Sequence, residues 1–205
     1  MLTGSSTSGS VAGPDPGATV RVWTYNYTGL QPEALRQAQR EASRVFGRIA
    51  VSIEWVDCPK SEAERELSPN CLQDVHHTPV VLRVFSGRPS SALGSSRTAF
   101  GMAYLADDGN GNLADVYAPE PGLAEVSSSS ERAKILGHFM VHEMGHLFLA
   151  SKAHSSKGIM RAHWNSSDLV LALSGGLVFN SEQSKRIVSN LKARTARIQF
   201  PATRP

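Results

Sequence analysis

Charge is scarce in this chain. Asp, Glu, Lys and Arg make up 19% of its 205 residues, and the formal net charge is only +3. The Lys and Arg residues are dispersed, which excludes a basic stripe for nucleic acid and a polybasic membrane anchor. No apolar run reaches the roughly 18 residues that a bilayer crossing takes, so no membrane span is expected. The N-terminus, Met1-Leu2-Thr3-Gly4-Ser5-Ser6, shows neither the basic segment nor the apolar core of a secretion leader. Cysteine is nearly absent: Cys58 and Cys71 are the only two, in a loop rich in Pro, Ser and Glu. Neither position reads as buried, and exposed free thiols are a liability. A disulfide is therefore expected, closing a loop whose entropy is worth about 3 kcal/mol in the chain model. The bridge points to a secreted or periplasmic setting, whereas the missing leader points to the cytoplasm.

What is present is enough apolar mass for one core, with 40% hydrophobic residues. Residues 1–19, dominated by Thr, Gly, Ser and Pro, read as a disordered lead-in, leaving 20–205 as a single domain. Val20 to Tyr27 is β-branched and aromatic, a strand by composition. Pro32 opens a helix in which Leu35, Ala38, Ala42, Val45, Phe46 and Ile49 recur at helical spacing. Val51 to Trp55 alternates with period two, so strand, helix and strand form a βαβ unit with parallel strands. Pro79 to Phe85 is apolar throughout and predicts a central strand. Thr98 to Leu105 and Leu113 to Tyr117 predict two more, around the turn Asp107 to Asn112. That turn lacks the twelve-residue calcium-loop pattern and reads as a solvated hairpin. Ser128-Ser129-Ser130-Glu131 is a capping box opening a long apolar helix. Ser167-Asp168 caps a short helix through Leu173, and Ser181-Glu182 starts a last amphipathic one.

The long helix carries His142-Glu143-Met144-Gly145-His146. Residues four apart share a helix face, so the two imidazoles converge on one point, at a spacing that suits zinc. Glu143 follows the first histidine, where it serves a water as general base rather than binding metal. A working zinc site needs a third protein ligand, which leaves one position for water. The candidates are His138, His154, His163, Asp168 and Glu182. His138, His142 and His146 on one straight helix would spread over about 12 Å of rise, too far for one tetrahedral ion, so His138 reads as a surface or supporting residue. His154 reaches the ion if the chain turns back after Ala150 or Ser151, and it is the favoured third ligand. Asp168 and Glu182 are the alternatives.

Two helix histidines, a turn, a third histidine and then Met160 form an order that resembles the metzincin clan of zinc endopeptidases. There the motif is H-E-x-x-H-x-x-G-x-x-H, followed by a methionine turn under the metal. His142, Glu143 and His146 match it, and Met160 in Gly158-Ile159-Met160 looks like the turn methionine. Leu149 stands where the clan has its turning glycine, Lys152 where it has its third histidine, and His154 comes two residues late. A closer resemblance is to small bacterial proteins with H-E-x-G-H, H-S and G-I-M-R elements, here His142 to His146, His154-Ser155 and Gly158 to Arg161. The resemblance implies an α+β fold: a metzincin-like, twisted, mixed five-stranded sheet with a backing helix and an active-site helix over 20–151, and a small, mostly helical C-terminal subdomain over 152–205. It also implies a Zn2+ cofactor, a peptide or protein substrate held along an edge strand, either Phe100–Leu105 or Leu113–Tyr117, and hydrolysis with Glu143 as general base. A monomer is favoured. The competing expectations are a zinc-containing binding module with little turnover, and a closed structural site completed by His163 or Asp168. Trp164 and Tyr117 read as core packing rather than pocket walls.

Overall fold

The computed structural model describes residues 17–72, 79–87, 100–119 and 126–199. Five strands, β1 (Ala18–Tyr27), β2 (Val51–Cys58), β3 (Val80–Phe85), β4 (Gly101–Tyr104) and β5 (Leu113–Tyr117), form one sheet in the order β2-β1-β3-β5-β4. The pairs β1/β2, β1/β3 and β3/β5 are parallel, and only β4 runs antiparallel, against β5. The helices are α1 (Pro32–Gly47), α2 (Glu62–Glu66), α3 (Ser129–Leu149), α4 (Ser166–Leu173) and α5 (Ser181–Gln199). The fold is α+β with a mixed five-stranded sheet, and β3 occupies its centre, as the apolar run at Val80 to Phe85 led us to expect.

Alternation along the strands decides which face is covered by helices. Val22, Val80, Leu82, Val84, Ala114 and Val116 are all buried and join one cluster with α1 and α3. From α1 come Leu35, Ala38, Ala42, Val45 and Phe46, with Arg36 and Arg40 on its exposed side. From Ile135 to Leu149 every residue of α3 is buried. A helix buried all round sits inside the molecule, not on it. Its start is secured by a complete capping box, with Ser128 accepting from the Glu131 N–H and Glu131 accepting from the Ser128 N–H.

Several boundaries differ from expectation. β1 begins at Ala18 rather than Val20, because it pairs with Val51 of β2 from there on. β2 runs on to Cys58, since pairing to β1 continues through Thr24–Asp57 and Tyr25–Cys58. Cys58 is thus the end of a strand rather than part of a loop. Both cysteines are buried beside Trp23 and Tyr25, contrary to the exposed positions expected for them, and they are bonded to each other. The stretch between them carries α2 and a 3-10 turn at Pro69–Cys71, neither of which has an apolar periodicity to announce it. Asn165, not Ser167-Asp168, caps α4, with Asp168 returning the hydrogen bond. The lead-in over 1–16 and the expected strand residues Thr98 and Ala99 lie outside the described residues. Among the described residues no helix is long and apolar enough to cross a membrane.

The Cys58–Cys71 bridge spans 13 residues that have little other apolar anchorage. Replacing both cysteines by alanine is expected to cost about 2–4 kcal/mol, read as a lower urea midpoint with a steeper slope as the unfolded chain expands. An unchanged midpoint would show that the closed loop contributes nothing.

Candidate metal centre

The helix α3 presents His142 and His146 one turn apart, both almost fully buried. After Leu149 the chain must leave the helix without a glycine. It does so through Ala150, held left-handed at φ 49°, ψ 48°, with its N–H directed at the His146 and Leu147 carbonyls. The segment beyond folds back as a compact loop, in which the Ser155 N–H donates to the Met160 carbonyl at 2.9 Å and the Ile159 N–H to the Val178 carbonyl at 3.2 Å. The reversal carries His154 over the helix. Its ring centroid lies 5.3 Å from that of His142 and 4.8 Å from that of His146. The potential ligand atoms of all three histidines lie within 4.8 Å of one another, the one such group among the described residues.

Hydrogen bonding decides what these rings present to each other. His142 Nδ1 is 2.7 Å from the Ile159 carbonyl, and His146 Nδ1 is 2.7 Å from the Ser151 carbonyl. A carbonyl only accepts, so each Nδ1 carries the hydrogen and each Nε2 is left as a bare lone pair. Those two Nε2 atoms face each other at 3.2 Å, where neither can donate. A proton on one ring would relieve the repulsion, but burial and the neighbouring His146 and His154 hold His142 down to about 3. Burial also lowers His146 and His154. A cation between the lone pairs is the arrangement that satisfies them. The 3.2 Å separation is close to the edge of a tetrahedron with bonds of ~2.0–2.1 Å. The donor set fits a zinc-like ion.

Glu143 lines the same cleft as the triad and lies against the sheet edge. Burial pushes its carboxyl up to about 8, the Ala103 N–H of β4 works against this by donating to it, and the charge of Asp115 pushes further in the same direction as burial. Room for the side chain depends on Gly101: a Cβ there would lie 2.7 Å from Glu143 Cγ and collide with the Asp115 carbonyl. A cleft of about 410 Å³ opens beside these groups, lined by Phe100 and by β4 from Gly101 to Ala103, and by Lys152, Ala162 and His163. β4 is the edge of the sheet while β5 is interior, so of the two strands considered for holding substrate only β4 borders the cleft.

The remaining candidates are elsewhere. His138 is fully buried, not at the surface; its Nδ1 meets the Lys134 carbonyl at 3.0 Å and its Nε2 lies 3.6 Å from Glu41 on α1, with burial lowering its pKa. Asp168 is engaged by Arg161 at 2.7 Å and by the α4 cap. Glu182 sits in the first turn of α5, outside the histidine group. His163 lines the cleft but is not one of the converging three. Met160 is fully buried, and a Cβ on Gly145 would lie 2.6 Å from its sulfur, so the thioether packs directly beneath the histidine turn. Trp164 packs on Phe100 and Phe139 at 4.5 and 5.5 Å, and Tyr117 is buried; both act as core. Sequence reasoning missed Gly101, Ala103 and the two orienting carbonyls, since backbone groups leave no trace in residue type.

No protein-family model matches the sequence, and no curated protein sequence matches it. Solved structures do share the fold. A zinc-dependent peptidase from Methanocorpusculum labreanum aligns with a TM-score of 0.56 at 15% identity, covering 81% of this chain and 99% of its own. An archaemetzincin from Methanopyrus kandleri aligns with a TM-score of 0.52 at 18% identity, covering 87% and 98%. At such identities the likeness is one of architecture.

Two outcomes follow from this geometry. In metal-stripped protein, the neutral form of Glu143 is favoured, so its contribution to stability is full below its ordinary 4.5 and is lost as pH rises through about 8. His142 acts oppositely: its contribution is full above its ordinary 6.5 and is lost as pH falls toward about 3. The melting temperature of stripped protein should peak between these limits and decline toward pH 8, and Glu143→Gln should remove the alkaline decline. A stripped protein with a flat profile over that range would contradict the burial of Glu143. Separately, Ala150→Gly should raise stability by about 1 kcal/mol by relieving the left-handed alanine, measured by thermal or urea melts. A loss of stability would mean the turn is not strained.

Proposed function

We propose that this chain is a zinc-dependent peptidase, metzincin-like, in which His142, His146 and His154 hold the ion and Glu143 is the general base. The observation that carries the proposal is the pair of Nε2 lone pairs facing each other at 3.2 Å, with a buried carboxylate on the next residue. A zinc ion held there would polarise a carbonyl and make water a usable nucleophile near neutral pH. Glu143 takes a proton from the attacking water and delivers it to the leaving amine. Its desolvated position makes it more basic than a surface carboxylate, while the charge of a bound dication draws its pKa back down toward the working range. A structural site has no use for such a group, and Asp168 is committed to Arg161 and to its helix cap.

Substrate binding falls to β4. As the edge of the described sheet bordering the cleft, it is the strand along which an extended peptide would add, which favours the interior of a polypeptide and hence an endopeptidase. The segments 20–151 and 152–205 then work as one unit, the first supplying strand, helix and base, the second the third histidine and the floor under it. The disulfide favours an oxidising compartment.

Metal analysis and a peptide library test the proposal together. The purified protein should hold one zinc per chain and cleave peptides. Glu143→Gln should keep the zinc and lose about 10²- to 10⁴-fold in kcat. His154→Ala should lose the metal along with activity. A zinc-loaded parent that cleaves nothing would favour a binding module, and a fully active Glu143→Gln would remove the carboxylate from the mechanism.

A further inference from the structure

We infer that the cleft selects substrates carrying a carboxylate beside the scissile bond, and that Lys152 is the residue that recognises it. The inference deepens the peptidase proposal and rests on it. Lys152 lines the cleft, is exposed within it, and forms no ion pair among the described residues. Its backbone is pinned close to the ligands. The preceding residue, Ser151, supplies the carbonyl that orients His146, and His154 follows two positions later. A second basic side chain, His163, lines the same cleft. Against these the lining contains one acid, Glu143, which is turned toward β4 and the Ala103 N–H.

Among the described residues Lys152 is thus the one permanent cation of the lining and Glu143 the one acid, and a dication held by the histidines would make the cleft positive. Charge of one sign in a cleft with low-dielectric walls concentrates ligands of the other sign. The rest of the lining, Phe100, Gly101, Met102, Ala103 and Ala162, is small or apolar, and among the described residues it offers no side-chain oxygen or nitrogen acceptor for a cationic or amide group of the substrate. A lysine in a half-open apolar cleft pairs best with a carboxylate, for which its point charge needs no particular geometry. A lysine shortly after a helix C-terminus also offsets the helix dipole, but that role would leave substrate choice unaffected.

Two sources supply such a carboxylate, an Asp or Glu side chain in a chain interior and the free C-terminus of a peptide. Four matched fluorogenic peptides separate them: an interior Glu, the same peptide with Gln, a free C-terminal acid near the cleaved bond, and its amide. For the zinc-loaded parent, kcat/KM for one or both carboxylate peptides should exceed that of the neutral partner by about fivefold or more, shrinking at high salt. Preference for the C-terminal acid alone assigns trimming from the chain end, and preference for Glu alone assigns an acidic side-chain pocket. Lys152→Ala should erase the ratio, Lys152→Arg should keep most of it, and Lys157→Ala, outside the cleft, should leave it unchanged. The same ratios should appear in dissociation constants for uncleaving Glu143→Gln protein, which makes the test independent of turnover. Equal handling of all four peptides by an active parent overturns the inference and leaves the peptidase proposal standing. A ratio that survives Lys152→Ala removes that residue from recognition. If the parent cleaves none of them, the binding ratios alone decide, and equal affinities overturn the inference.

Discussion

Two hydrogen bonds, from the Nδ1–H groups of His142 and His146 to the carbonyls of Ile159 and Ser151, set the tautomers of both rings. Everything at the centre depends on them. Without them either ring could present a hydrogen to the other and form an ordinary imidazole pair. With them, two lone pairs are forced together, and the repulsion is available to be offset by a cation. Both acceptors belong to the segment that follows α3, so the candidate centre is assembled only when that segment is folded back. Its placement is secured by the left-handed Ala150, by the backbone bonds that close the 155–160 loop, and by Met160 packed against Gly145. The helix itself contributes rigidity because it is buried along its whole second half.

Glu143 illustrates how the sheet edge and the helix share one task. Burial alone would keep the carboxyl neutral, and the single N–H of Ala103 does not cancel that cost. Asp115 lies close enough to raise it further, yet is itself held by Arg83 at 2.6 and 2.9 Å and by the Tyr104 hydroxyl at 2.8 Å. A buried carboxyl in this condition is held in its neutral form, and a strong positive charge beside it would favour the ionised one. Helix, edge strand and metal site are thus interdependent: moving β4 outward would remove the N–H and the confinement at once.

Much of this was legible in the residues. The alternation at Val51 to Trp55, the spacing of Leu35 to Phe46 and the Ser128–Glu131 box each reflect local physics, and each element formed where it was expected. The identity of the edge strand was not legible, because Leu113 to Tyr117 and Gly101 to Tyr104 have similar composition and differ only in which neighbours lie beside them. Asp168 looked like a spare acid; its partner Arg161 and the Asn165 cap become neighbours only once the chain turns. His138 sits one turn before His142 and reads as a surface or supporting residue from helix rise alone, and only the packing of α1 across it reveals its burial. The bond between Cys58 and Cys71 is inferred from two thiols that read as exposed, whereas both are buried against Trp23 and Tyr25, with β2 running three residues longer than its alternation showed.

The groups that aim the two imidazoles are peptide oxygens, and that has an evolutionary corollary. A side-chain orienter can be deleted by one codon change, whereas residue 151 can change its side chain and keep its oxygen, and residue 159, fully buried, can do so among apolar side chains that fit the core. Drift at those positions would leave the centre intact. Across diverged copies of such a chain, the stretch from residue 151 to Met160 should hold its length more strictly than its letters, left-handed Gly158 and buried Ile159 excepted, since an inserted or deleted residue within it would shift one oxygen relative to the other.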